Sequence, residues 1–90
     1  MKYIKGTYYH IIYKYVDPFL AFCLEDNDKK IWAKIVNFDG STGPIQELIS
    51  FVEAKLATPK EIAYFEHIQA GNETSFEGFN YKNDEYEILY

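Results

Sequence analysis

The amino-acid sequence predicts one α+β domain over residues 1–90. Its expected architecture is an antiparallel sheet, a three-stranded meander plus a C-terminal strand, with two helices packed on one face in the order β-β-β-α-α-β. Three observations predict it. From Thr7 to Phe38 the chain is rich in β-branched and aromatic residues, in runs separated by polar turns. Near Pro44 the apolar spacing changes to that of a helix. At the C-terminus, alternation of apolar and acidic residues returns. Ninety residues, 48 % of them hydrophobic and 19 % aromatic, suffice for a single core and leave no room for a second domain.

The first strand is expected over Thr7–Val16, where both faces carry apolar side chains; that suits a central strand with a partner on its outer face. Asp17-Pro18 is a turn signal, and a second strand follows from Phe19 to Glu25. The polar run Glu25 to Lys30 supplies the next turn, and a third strand runs from Lys30 to Phe38. Asp39 to Gly43 reads as a loop, with Pro44 at the first position of a helix reaching Ala57 and burying Ile45, Leu48, Ile49, Val52 and Leu56. Thr58-Pro59-Lys60-Glu61 is a capping box that opens a second helix, which ends near Ala70 with Gly71 as its cap. Ile62, Phe65 and Ile68 form its apolar stripe. Residues 72–80 read as an ordered loop pinned by Phe76 and Phe79, and Glu85–Tyr90 as a fourth strand.

The net charge of −5 argues against binding of nucleic-acid polymers, which calls for a basic face. All nine basic residues are lysine, so the bidentate guanidinium suited to reading phosphate is missing. The abundant Ile, Lys, Tyr, Phe and Asn have AT-rich codons, which points to a low-GC bacterial, phage or plasmid gene. The lone Cys23 has no intramolecular disulfide partner, Met1 to Gly6 lacks the apolar run of a signal peptide, and Phe19–Leu24 is the longest apolar stretch. The expectation is a cytoplasmic protein without a membrane segment.

No motif specifies a reaction, so the chain is read as a non-enzyme without cofactor or metal. His10 and His67 could form an acid–base pair, but an acidic, arginine-free chain would repel a polyanionic substrate. Cys23 lies mid-strand between Phe22 and Leu24, as a core residue and not as a nucleophile. Asp26-Asn27-Asp28 opens like a calcium loop, yet Ile31 and Asn37 stand where that loop needs glycine and glutamate, leaving a solvated turn. Asp39 to Gly43, before the expected helix, could cradle an anion, although no Walker pattern follows and capping explains the residues as well.

The charge distribution is more informative. Met1 to Val16 holds three lysines and no acid, whereas Glu61 to Tyr90 holds seven acids and one lysine. Acids interleaved with tyrosine suit a basic protein partner, with tyrosine supplying rigid contact area. The partner-binding candidates are Glu73, Glu77, Tyr81, Asp84, Glu85 and Glu87. The function this implies is inhibition or neutralisation of a basic protein, of the phage anti-defence or toxin-immunity type. The bland alternative for Glu85 and Glu87 is a solvated strand face. Nine tyrosines also allow two other readings. One is a nucleotide- or small-molecule-sequestering module walled by Tyr8, Tyr13, Trp32 and Tyr64; the other is a homo-oligomeric structural or regulatory protein.

Overall fold

A computed structural model describes residues 2–81 of the chain. The described elements are β1 (Tyr8–Ile12), β2 (Phe19–Cys23), β3 (Ile31–Asn37), β4 (Thr42–Leu48), β5 (Glu53–Leu56) and α1 (Pro59–Gln69). All strand pairs are antiparallel, and the sheet order is β4-β3-β2-β1-β5. The α+β class therefore stands, but the meander has four strands, and the strand that pairs with β1 from its other side is β5.

The link between the two edges forces the sheet to curl. In a flat sheet, β4 and β5 would lie four strand spacings apart, about 19 Å. The five-residue step from Leu48 to Glu53 spans at most about 18 Å when fully extended, and it is not extended, because Ser50 adopts φ 60°. The sheet accordingly bends into a half-open barrel, and the link folds over the end of β1. There Val52 donates its N–H to the Ile12 carbonyl, and the Tyr13 hydroxyl donates to the Ile49 carbonyl at 2.8 Å.

Strand alternation sends side chains into two cores. One register row, Tyr9–Ala21–Ile35, faces the barrel interior with Ile11, Phe19, Cys23, Ile31, Ala33 and Leu48. The small residues Ala21, Cys23 and Ala33 occupy the concave centre, where a curled sheet leaves little room. Tyr3 caps one end, edge-on to both Tyr9 and Phe51. The next row, His10–Leu20–Val36, faces outward and is covered by Tyr64, Phe65 and Ile68 of α1. Each of these large side chains contributes about 1.5–3 kcal/mol on burial. The two apolar faces expected of the first strand thus serve two separate cores.

α1 begins as its sequence dictates. Thr58 accepts the Glu61 N–H, Glu61 Oε1 accepts the Thr58 N–H at 2.8 Å, and Pro59 stands at the first helical position. Glu61 Oε2 also accepts from His10 Nδ1 at 2.8 Å, so one carboxylate both caps the helix and ties it to β1. At the other end Gly71 takes φ +100°, the left-handed cap position.

The helix expected over 44–57 is absent; β4, the link and β5 occupy that stretch. Of its supposed buried stripe only Leu48 is buried, while Ile45, Ile49, Val52 and Leu56 are exposed. Pro44, read as a helix start, sits instead in an edge strand beside a register shift between Ala33 and Ile35, where its missing N–H is harmless. The domain has one described helix, not two. The expected strand Glu85–Tyr90 lies outside the described residues.

Candidate functional site

The end of α1, the β3–β4 turn and the segment after the helix converge on the outer face. Phe76 packs edge-on to Phe38 and Tyr64, and Phe79 packs against Tyr64 and His67. The Phe76 N–H donates to the Phe38 carbonyl, and the buried Tyr64 hydroxyl donates to the Thr74 carbonyl at 2.6 Å. The segment is therefore pinned by the two phenylalanines, as its composition indicates. The β3–β4 turn closes on it so tightly that a Cβ on Gly40, already at φ +94°, would stand 2.8 Å from the Thr74 carbonyl oxygen.

Two shallow grooves flank this turn and share Ser41. One, of about 300 Å³, runs between Asp17-Pro18 and the end of β3, with Val16 and Phe38 as apolar walls and Asp39 at its rim. The other, of about 250 Å³, lies between the turn and the C-terminus of α1 and is lined by Thr42, Ile68, Asn72 and Glu73. Asp17, Asp39 and Glu73 supply their charge, and among the described residues no lysine lines either groove. The helix C-terminus adds partial negative charge to the second. Asp39 accepts both the Ser41 hydroxyl, at 2.6 Å, and the Ser41 N–H, at 2.8 Å; these bonds hold its carboxyl below the usual carboxylate range. Its charge is felt nearby: burial first, and Asp39 second, push the Tyr64 hydroxyl upward.

A third groove, of about 340 Å³, lies where the other side of α1 meets the sheet. Tyr8, Phe22 and Phe65 line it, but Lys34 stands opposite Glu66, and Glu66 is already engaged by the Tyr8 hydroxyl at 2.9 Å. Its charges are balanced, and its three rings pack on one another at 4.8–6.2 Å.

Among the expected partner-binding residues, Glu73 lines the second groove, Glu77 is exposed in the turn that follows, and Tyr81 is half-buried. Asp84, Glu85 and Glu87 lie outside the described residues. Two acids of the 61–90 segment are engaged by contacts within the fold: Glu61 is buried on His10, and the exposed Glu66 accepts from the Tyr8 hydroxyl. Asp17 and Asp39, which line the first groove, are not among the partner-binding residues expected from the sequence. Their signals, Asp-Pro and Asp-Gly-Ser, mark turns and do not show which turns meet. The anion reading of residues 39–43 fails because no helix follows them and Asp39 occupies the turn.

The other chemistries are also located. The proposed aromatic walls are not gathered: Tyr64 is fully buried, Tyr13 packs toward the barrel interior and Trp32 is exposed on β3. His10 contacts the first turn of α1, whereas His67 faces Thr74 and Phe79, and neither lines the grooves above. Cys23 is inaccessible, donates to the Glu25 carbonyl and has its thiol pushed up by burial, as a core cysteine should. Asn27 Oδ1 accepts the Lys29 and Lys30 N–H groups, making the 26–28 stretch a turn. No cluster of three or more metal-ligating side chains occurs among the described residues, nor does any helix there have the length and apolarity to cross a membrane. The chain matches no protein-family model, no curated protein and no solved structure, so the site is read from its geometry alone.

Proposed function

We propose that this protein is a small binding module that captures a basic protein through the two grooves beside the Asp39–Ser41 turn, and thereby inhibits or neutralises it in the cytoplasm. The single observation that carries the reading is the set of three carboxylates, Asp17, Asp39 and Glu73, lining adjoining grooves that hold no lysine among the described residues. Such a surface attracts Lys and Arg side chains, raises encounter rates with a basic partner and repels phosphate. Phe38, Val16 and Pro18 add apolar contact beside the charge. The exposed Glu77, in the segment after α1, adds to the negative charge of this surface.

An amide-resolved NMR titration with a lysine-rich peptide, and with its glutamate-rich counterpart as control, tests the location. The lysine peptide is expected to shift Asp17, Asp39, Ser41 and Glu73, and salt to abolish the effect. Shifts centred on Glu25–Asp28 or on Glu47 instead would refute the grooves as the basic-partner site.

A further inference from the structure

Among the described residues, the two edge strands of the sheet, β4 and β5, are unlike. β4 carries Pro44 and an irregular register, two devices that blunt edge pairing. β5 contains neither. Ala57 donates its N–H to the Tyr8 carbonyl, so in the antiparallel alternation the backbone groups of Glu53 and Lys55 face β1, and just before the strand the Val52 N–H is engaged by the Ile12 carbonyl; those of Ala54 and Leu56 face outward, without a partner among the described residues. Val52 and Leu56 flank this edge at 67 % and 71 % exposure. Glu53 and Lys55 make no ion pair among the described residues.

We infer that a second copy of the chain docks here: the protein forms a twofold dimer in which the two β5 strands pair antiparallel about Ala54. The sequence of the edge is self-complementary in that register. Val52 lies opposite the partner's Leu56, and Glu53 lies opposite the partner's Lys55, each contact occurring twice by symmetry. A centre at Glu53 or Lys55 would set like charges face to face and would call on backbone groups already bonded to β1. A centre at Val52 or Leu56 would leave half the strand unpaired. Only Ala54 combines outward backbone groups with unlike charges, and the pairing joins two five-stranded sheets into one continuous sheet. It uses no residue of the acidic grooves.

Sedimentation equilibrium of the full chain, up to about 0.5 mM because an edge contact is small, tests the dimer. The wild type is expected to rise from monomer to dimer mass. Glu53→Lys and Lys55→Glu should each weaken association by about tenfold or more, since each substitution turns both symmetric pairs repulsive. The double variant E53K/K55E restores opposite charges and should recover wild-type association. Both side chains are exposed, and circular dichroism confirms that the variants are folded. A wild type that stays monomeric, single variants that associate as well as wild type, or a double variant that fails to recover would each overturn the inference.

Discussion

Tyr8 illustrates how one hydroxyl links sheet and helix. Burial, then its hydrogen bond to Glu66, then the Glu66 charge raise its pKa from 10.0 to about 12. Burial also raises Tyr13 and Tyr64. Between pH 10 and about 12 the unfolded chain loses the Tyr8 proton first, so the native state holds more protons and stability falls as pH rises. That contribution is complete below pH 10 and gone above the folded value. The melting temperature is expected to drop across this window, and Tyr8→Phe to flatten part of the drop; an identical slope in the variant would remove Tyr8 as a cause. Residue-scale features of this kind were legible wherever the chemistry is local. The Thr58–Glu61 capping box, the Asn27 turn and the placement of Cys23 in the core need only neighbours in sequence. The Tyr8–Glu66 and His10–Glu61 contacts join residues far apart in the chain and could not be read from it.

At the scale of elements, the stretch 44–57 shows where periodicity misleads. Ile45, Leu48, Ile49, Val52 and Leu56 fit a helical stripe, yet two short strands and a folded link satisfy the same residues by pairing the open edges of β3 and β1. Backbone pairing outweighs a stripe that the fold leaves in solvent. The two arrangements differ in their cost of truncation. In the sheet, Leu48→Ala should destabilise by about 2–5 kcal/mol, while Val52→Ala should stay within about 0.5 kcal/mol. Equal losses at both positions in chemical denaturation would favour the helical stripe. α1, by contrast, was recognisable because its start and stop signals bracket the apolar stripe and agree with it. The same comparison explains β5: an edge strand without proline or a register shift is invisible until the strand order is known.

For the whole molecule, the decisive feature is the antiparallel order of the sheet with α1 on its outer face. The Phe19–Asn37 pairing of β2 and β3 sets the Asp17 turn beside the Asp39 turn, and the packing of α1 brings its C-terminus to the latter, turning acids scattered through the sequence into one surface. The overall acidity and the excess of acid after Glu61 were plain from composition, and they pointed to a basic partner. The focus of that charge was not, because Glu61 is buried on His10 and Glu66 is engaged by Tyr8, while Asp17 and Asp39 join from the other half of the chain. The most direct measurement is affinity isolation from nuclease-treated lysate of the source cells. Wild-type protein is to be compared with the variant Asp17→Lys/Asp39→Asn/Glu73→Lys, in which the Asn preserves the turn acceptor while removing its charge. The account predicts one basic protein retained at near-equal amount by the wild type, released by salt, and lost with the variant. Retention of the same protein by the variant, or no basic protein on the wild type at low salt, would contradict it.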